Sequence, residues 1–137
     1  MSETRDTYAY FFVRDFDCDF SHITTLIGMA PTEAYNRGEL LPCGRARKIN
    51  TWKIHSPLPK ETEIISEHIE TLLPVIEAKS KSICKLAGEF HIGLQCVGRY
   101  TNAHPGFHIS TDTIQRVARL GLSIDFDLYC FCDECVE

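Results

Sequence analysis

Apolar residues recur at every second position in the last strand-like segment of the chain, residues 124–131. This alternation is the pattern of a half-buried β-strand, because neighbouring side chains on a strand point to opposite faces. The apolar face carries Ile124, Phe126, Leu128 and Cys130. The polar face carries Asp125, Asp127 and Tyr129. We therefore expect this strand to have one dry face and one acidic face.

Further strands follow from the same period of two. Residues 8–14 are apolar on both faces, which is typical of a strand in the centre of a sheet. Residues 49–55 alternate up to a proline-containing segment, and residues 89–100 alternate over a longer stretch. We expect residues 107–109 to add a short edge strand. Residues 32–48 have no sustained period and predict a long loop, a kind of segment that is often functional.

Helical periodicity separates these strands. Asp19 or Ser21 is expected to cap a short helix that ends at Gly28. From Lys60 onwards apolar residues recur at spacings of three and four, which predicts a longer helix. Pro74 lies inside this helix, and the ring and missing N–H group of proline predict either a kink or two helices in tandem.

A last helix is predicted to begin at Ser110, a residue type that favours the N-cap position. Ile109 before the cap and Ile114 after it have the spacing of a hydrophobic staple. The predicted buried stripe of this helix comprises Ile114, Val117, Ala118 and Leu120. Gly121 is expected to end the helix before the final strand.

The predicted order is strand, helix, strand, long helix, strand, helix, strand. It indicates an α+β fold with a mixed β-sheet of about four to five strands and with helices packed on one face. The chain is then made of two βαβ-like halves joined by a long kinked helix.

The composition of the 137-residue chain is that of a globular protein. Hydrophobic residues make up 44% and charged residues 24%, which argues against a disordered or fibrous class. We expect a single domain over residues 1–137, with a core at residues 8–129 and a cysteine-containing tail at residues 130–137. The sequence shows neither a secretory signal nor an apolar run that could span a membrane, so we expect a cytoplasmic protein.

Several stretches of the chain together resemble a known family. They are residues 10–13 with Asp15 and Asp17, residues 23–28, residues 31–34 and 38–39, Trp52, and residues 120–121 with residues 125–129. Through them the chain resembles the bacterial domain-of-unknown-function family 4279 over residues 8–129. The resemblance implies a compact α+β domain and a bacterial host, but it assigns no activity and no catalytic residues.

Polar residues of the predicted strands gather on one sheet face if the helices cover the other. These residues are Lys53, His55, His91, Gln95, Arg99, Asp125, Asp127 and Tyr129. A mixed-charge sheet face is suited to docking a protein partner, although similar residues also occur on faces that contact only water. Together with Arg45 and Arg47 of the predicted loop, they form our candidate binding surface.

Histidines on this face also admit a catalytic interpretation. His55 and His91 carry the side chain best suited to act as a general base near neutral pH, and Asp127 carries a carboxylate that would orient one of them. The alternative hypothesis is a small enzyme or ligand-binding protein with a His/Asp pocket on the sheet face. The chain contains no nucleophile elbow, phosphate-binding loop or His-Glu-x-x-His motif.

Two further clusters carry potential chemistry. Arg45, Arg47 and Lys48 form a basic cluster near Trp52, but the net charge of −5 argues against nucleic acid as a partner. The cysteines of the tail, Cys130, Cys132 and Cys135, have a spacing suited to zinc or to a redox pair. A zinc-binding domain is therefore a second alternative, although a tetrahedral site needs a fourth ligand and no second Cys-x-x-Cys motif is present.

The leading hypothesis is a small, acidic, non-catalytic binding domain of the cytosol. It fits an immunity-type protein that inhibits a toxin or another partner protein through its polar sheet face. We predict no cofactor apart from the zinc alternative, and we expect a protein partner, with a homodimer left open.

Overall fold

A computed structural model describes residues 7–100 and 107–130 of the chain. Its elements in chain order are β1 (Thr7–Arg14), α1 (Phe20–Ile27), β2 (Glu33–Tyr35), β3 (Thr51–His55), α2 (Ile65–Glu77), α3 (Ser80–Ala87), β4 (His91–Tyr100), α4 (Thr111–Arg119) and β5 (Ser123–Cys130). None of the helices in the described ranges is long and apolar enough to cross a membrane.

The strands form one mixed sheet in the order β2-β3-β1-β4-β5. β1 lies at the centre, as its two apolar faces predict. It is antiparallel to both of its neighbours, β3 and β4. β5 is an edge strand and runs parallel to β4, to which it is connected through α4. The first half of the chain runs strand, helix, strand, strand, and its paired strands β1 and β3 are antiparallel. The predicted α+β fold with a mixed sheet is confirmed.

The helices cover one face of the sheet. Phe11 of β1, Trp52 of β3 and Leu94 of β4 are fully buried on that face and belong to one apolar cluster with the buried residues of the helices. The indole Nε1 of Trp52 donates a hydrogen bond to Thr24 Oγ1 of α1 at 3.0 Å, and its ring meets the Phe11 ring edge-on at 6.2 Å. Trp52 therefore joins the helical layer to the sheet.

Local capping signals are used as the sequence predicts. Asp19 caps α1 by accepting a hydrogen bond from the Ser21 N–H at 2.9 Å, and Gly28 ends the helix with a left-handed φ of 83°. Ser110 caps α4 by accepting from the Thr113 N–H at 3.1 Å. These bonds satisfy N–H groups that an uncapped helix start leaves without partners.

Pro74 does not mark the boundary between the two tandem helices. α2 continues past it to Glu77, and α3 begins at Ser80. The chain tightens one turn beyond the proline, where the Lys79 N–H donates to the Ile76 carbonyl at 2.9 Å. The chain therefore has two helices in tandem, with the break one turn later than the proline, in place of the single long kinked helix of the predicted fold.

Residues 32–48 are more ordered than the predicted loop. They contain β2, which pairs with β3, and an isolated bridge between Leu40 and Ala46. Two asparagines hold this segment in place: Asn36 Nδ2 donates to Asp19 Oδ1 at 2.7 Å, and Asn50 Oδ1 accepts from the Arg37 N–H at 2.5 Å. A strand of three residues is too short to produce a recognisable period, so sequence alternation did not reveal it.

Two local predictions near the C-terminal half are wrong. Residues 107–109 do not form a strand. In α4 the side chain of Ile114 is 52% exposed and Ala118 is also exposed, whereas Thr113 and Val117 are buried. Thr113 tolerates burial because its hydroxyl accepts a hydrogen bond from Ser110 Oγ at 3.1 Å, so the buried side of α4 is rotated by one residue.

The predicted dry face of β5 is also only partly dry. Ile124 is half-buried, but Phe126 and Leu128 are 42% and 39% exposed. β5 lies at the edge of the sheet, where a strand has a neighbour on one side only and less of its surface is covered. The ring of Phe107 contacts Phe126 at a centroid distance of 6.4 Å and covers part of it.

Candidate binding face

Strand register places the predicted polar residues together on the sheet face that the helices do not cover, which we call the open face. Paired residues on neighbouring strands share a face, and Tyr10 pairs with His55 of β3 and with Gln95 of β4. The residues predicted for this face and found on it by register are Lys53, His55, His91, Gln95, Arg99, Asp125, Asp127 and Tyr129.

Aromatic residues of β1 form the centre of the open face, and the sequence reasoning did not include them in the site. They are Tyr8, Tyr10 and Phe12. Their alternation with the buried residues of the other face was visible in the sequence as an aromatic residue at every second position. The alternation indicates a central strand, and it also supplies the aromatic side chains of the open face.

Three rings of the open face, those of Tyr8, Tyr10 and His55, stack side by side. Tyr10 and His55 lie 5.1 Å apart with an interplanar angle of 30°, and Tyr8 and Tyr10 lie 6.2 Å apart at 19°. Tyr8 also stacks on His55 at 5.9 Å. Each ring is held by two neighbours, so the cluster presents a pre-ordered surface rather than freely rotating side chains.

Phe12 is completely buried although it points to the open face. The guanidinium of Arg14 lies 3.7 Å above its ring, and His91 meets it edge-on at 5.3 Å. Beneath it lies Gly93, where a Cβ atom would stand only 2.9 Å from Phe12 Cζ. The glycine therefore gives the ring its space on β4.

Cations lie over the remaining aromatic rings of the face. Lys53 Nζ is 4.4 Å from the Tyr10 ring, and the Arg47 guanidinium is 3.4 Å from the ring of Tyr35 on β2. Lys60 Nζ lies 5.9 Å from the Tyr8 ring. Such contacts are favourable because the face of an aromatic ring is electron-rich.

His55 is held in its neutral form by this environment. Burial lowers its pKa below the ordinary 6.5, and the charges of Lys53 and Lys60 act in the same direction against the opposing effect of Glu33. Its Nε2 atom is buried without a hydrogen-bond partner, at 3.7 Å from a carboxylate oxygen of Glu33. Burial also raises the pKa of Tyr10, so that both rings are uncharged near neutral pH.

The β5 side of the open face is acidic. Gln95, which is buried, donates from Nε2 to Asp127 Oδ2 at 3.1 Å, while Asp125 is exposed. The Arg99 guanidinium lies 5.8 Å from the ring of Tyr129. The open face thus has most of its cations towards β2 and β3 and two carboxylates on β5, with Glu33 on β2 and Arg99 on β4 as exceptions.

The residues of the predicted His/Asp pocket are far apart. His55 pairs with Tyr10 and His91 with Arg14, a separation of about 13 Å along the strands. Asp127 lies on β5, three strand spacings or about 14 Å across the sheet from His55. Because proton transfer needs contact or one bridging water, these three side chains do not form one catalytic group here.

The basic loop lies at the edge of the open face. Arg45, Arg47 and Lys48 line a cleft there together with Tyr35 and Thr51. Trp52, their neighbour in sequence, points the other way into the core and does not join them.

A serine–histidine pair lies under the β3–α2 connection and was not expected from the sequence. The Ser56 hydroxyl is 2.7 Å from Nδ1 of His68, and Nε2 of His68 is 2.9 Å from the Thr62 carbonyl. His68 is fully buried, and both of its ring nitrogens have partners. The pair ties residues 56–62 to α2.

The cysteine tail mostly lies outside the described residues. Cys130 is the last residue of β5, and Cys132 and Cys135 fall beyond it. Within residues 7–100 and 107–130, no group of three His, Cys, Asp or Glu side chains is placed to hold a metal ion. Of the four cysteines with described side chains, Cys96 is buried and its pKa is raised to about 12, mainly by burial, whereas Cys43 and Cys84 are exposed.

The fold and the face define a two-layer α+β protein with one sheet face left open and lined by aromatic and charged side chains. The family described as Domain of unknown function (DUF4279) matches residues 4–131, nearly the whole chain, and the chain belongs to this family. No curated protein and no solved structure matches the sequence.

Proposed function

We propose that this protein is a non-catalytic binding protein of the bacterial cytoplasm that holds a protein partner on its open face, as an immunity protein holds and inhibits a toxin. The observation that carries the proposal is the aromatic cluster of Tyr8, Tyr10 and His55 on a sheet face that the described helices leave uncovered.

The composition of the open face favours a protein partner. Tyrosine and arginine are the residue types that most often dominate binding energy at protein interfaces, together with tryptophan. Here Tyr8 and Tyr10 are half-buried and stacked, and Arg14 and Arg47 lie on aromatic rings. Side chains that are ordered before binding lose little conformational entropy on association, which supports tight binding by a face of modest area.

The arrangement of polar groups supports binding more than catalysis. His55, His91 and Asp127 are separated, so they lack the mutual contacts of an acid–base pair. The Ser56 hydroxyl and the His68 ring are close enough for proton transfer. However, His68 is completely buried, and its second ring nitrogen is hydrogen-bonded to the Thr62 carbonyl. A structural role accounts for both bonds.

A photo-crosslinking amino acid at Tyr10 tests the proposal directly. With benzoylphenylalanine at this position in the native host, we expect one protein to be crosslinked reproducibly and excess unlabelled wild-type protein to suppress the product. The matched control places the same amino acid at Glu70, which is exposed on α2 in the helical layer. Identical products from both positions, or none from Tyr10, would contradict binding through the open face.

The immunity role also predicts that the crosslinked protein is a toxin. Its expression in a host that lacks this gene should be toxic, and co-expression of the wild-type chain should relieve the toxicity. Tyr10→Ala should relieve it less, because this variant removes the central ring of the cluster. A captured protein without toxicity would leave a binding function but remove the immunity role.

A further inference from the structure

We propose that the partner of the open face presents an acidic protein surface, which binds to the cations on the β2–β3–β1 side. This inference rests on the proposed function and specifies its partner. We call this region the cationic–aromatic patch. It comprises the cations Arg14, Arg47, Lys53 and Lys60 and their rings Phe12, Tyr35, Tyr10 and Tyr8.

The cations of the patch are poorly neutralised within the protein. Glu33 lies 3.7 Å from Lys53 Nζ, and its side chain is 52% exposed. Arg14, Arg47 and Lys60 have no carboxylate within ion-pair distance in the described ranges. Three unneutralised cations on one side of a sheet are notable in a chain of net charge −5. Their charge is available to a partner.

The aromatic rings of the patch make the charge of its cations easier for a partner to reach. Arg14, Arg47 and Lys53 lie over aromatic rings and are half-buried, so these cations lose less water when a partner contacts them. Their interaction with a carboxylate is also screened less than on a fully exposed surface. Burial acts to lower the pKa of Lys53, but Tyr10, Tyr35 and Glu33 together raise it, which keeps the ammonium charged.

The cleft beside the patch offers room for a side chain. Arg45, Arg47 and Lys48 line it with Tyr35 and Thr51. Aspartate or glutamate of a partner that enters this cleft meets guanidinium groups able to donate two parallel hydrogen bonds to one carboxylate. The acidic β5 side, with Asp125 and Asp127 across the sheet, repels the same partner and so sets its orientation.

The geometry of the rings favours an acidic protein over single-stranded nucleic acid. Nucleic-acid platforms need free ring faces on which bases stack. Here the faces of Phe12, Tyr35 and Tyr10 are occupied by cations, and Tyr10 also stacks on its neighbours. The net charge of −5 adds long-range repulsion of a phosphate backbone.

Defined peptides test the proposal by NMR on the ¹⁵N-labelled protein. The probe is a peptide of alternating glutamate and serine, compared with a glutamine–serine peptide of the same length and with an oligothymidylate. We expect the glutamate peptide to shift amide signals of β1, β3 and the loop around Arg47. Raising the salt from about 50 mM to about 500 mM should abolish most of the shifts, because exposed charges are then screened within a few ångströms.

Charge variants locate the binding surface. Arg47→Glu combined with Lys53→Glu should weaken binding of the glutamate peptide by at least about tenfold. Lys81→Glu combined with Lys85→Glu on exposed positions of α3 changes the net charge equally and should alter binding less than about twofold. If the first pair unfolds the protein, Arg47→Gln with Lys60→Gln replaces it and should weaken binding by at least about threefold.

Three outcomes would overturn the inference. They are equal binding of the glutamine peptide, equal weakening by the α3 variants, and tighter binding of the oligothymidylate to the same amides. None of them removes the proposed function, which depends on the crosslink from Tyr10. Conversely, an acidic peptide that binds the patch while Tyr10 yields no specific crosslink would separate the charge preference from partner capture.

Discussion

Phe12 is fully buried on a sheet face that the described helices do not cover. Its cover consists of the Arg14 guanidinium, the His91 ring and the backbone of Gly93. A side chain can thus be buried on a sheet face that no helix covers, if large side chains of the sheet cover it and a glycine leaves it space. The open face is therefore a small packed unit, and its individual residues have measurable effects on stability.

Trp52 lies on the opposite face of the sheet, which the helices cover, and its removal should destabilise the protein. Trp52→Ala should lower the free energy of unfolding by about 3–5 kcal/mol, because it removes a fully buried ring and leaves a cavity between β3 and α1. Urea unfolding followed by circular dichroism measures the change. Trp52→Phe keeps most of the packing and loses the hydrogen bond to Thr24, so it should cost less. Equal stability of Trp52→Ala and the wild type would contradict the core position.

His55 predicts a pH dependence of stability. Its folded pKa lies below the ordinary 6.5, so the unfolded chain binds this proton more readily. The stabilisation from neutral His55 is present above pH 6.5 and is lost as the pH falls through the lower pKa of the folded state. We expect the Tm of the wild type to fall more steeply between about pH 7.5 and about pH 5 than that of His55→Gln.

His91 provides the control for this measurement. It lies on the same face but is exposed, so His91→Gln should keep the steep pH dependence of the wild type. The other titratable groups are the same in all three proteins, so their contributions cancel in the comparison. Parallel curves for the wild type and His55→Gln would show that the environment of His55 does not disfavour its charged form.

At the scale of elements, the close approach of β1 and β4 depends on Gly93. Gly93→Ala should lower the free energy of unfolding by about 1–3 kcal/mol, because the added methyl group would stand 2.9 Å from Phe12 Cζ and 3.0 Å from Ser123 Oγ. Chemical denaturation measures this loss, and displaced Phe12 ring signals in the NMR spectrum would report its cause.

Gly88→Ala is the matched control for the glycine. The nearest atom to a Cβ at this position is the Lys85 carbonyl oxygen at 3.8 Å, which is an ordinary contact. Its φ of −84° suits any residue. We expect this variant to be neutral or slightly stabilising, by up to about 1 kcal/mol, since alanine restricts the unfolded chain. Equal losses at both positions would remove the steric explanation.

The helical layer has its own electrostatic connection. Arg116 of α4 donates two hydrogen bonds to the carboxylate of Glu77 on α2, at 2.8 and 2.6 Å. The hydrogen bonds from Arg116 lower the pKa of Glu77. This bidentate pair joins two helices that are distant in sequence and fixes α4 against α2.

At the scale of the whole molecule, charge is distributed unevenly across one sheet. Four cations, Arg14, Arg47, Lys53 and Lys60, lie on the β2–β3–β1 side, and Asp125 and Asp127 lie on β5, although the net charge of the chain is −5. Glu33 on β2 and Arg99 on β4 are the exceptions. This asymmetry gives the open face an orientation that a uniformly acidic surface lacks.

The folding of the described core should not depend on zinc. Among the described residues no metal-ligating group is assembled, and the core cluster connects every helix to the sheet without one. EDTA should therefore leave the Tm unchanged. Thermal unfolding with and without EDTA measures this, and elemental analysis measures the zinc content. Stoichiometric zinc with a Tm that falls in EDTA would instead support a site in the cysteine tail.

Local sequence was sufficient for the longer helices and strands and for the two faces of each long strand, but not for the three-residue strand β2 or the buried side of α4. Asp19, Gly28 and Ser110 mark helix ends through bonds to nearby backbone groups, and alternation sorts the residues of a strand between two faces. Both effects act over a few residues, so the sequence shows them directly. The eight polar residues predicted for one sheet face consequently lie together.

Strand order and burial required the complete fold. The register of β1 against β3 and β4 brings Tyr10, His55 and Gln95 together from distant parts of the chain, and no local period encodes that pairing. The same pairing puts β5 at the edge, which leaves Phe126 exposed in spite of its apolar pattern. The alternation of apolar residues along a strand shows to which face each side chain points. Whether that side chain is buried depends on contacts with residues that are distant in the sequence. Those contacts create both the aromatic cluster and the charge asymmetry of the open face.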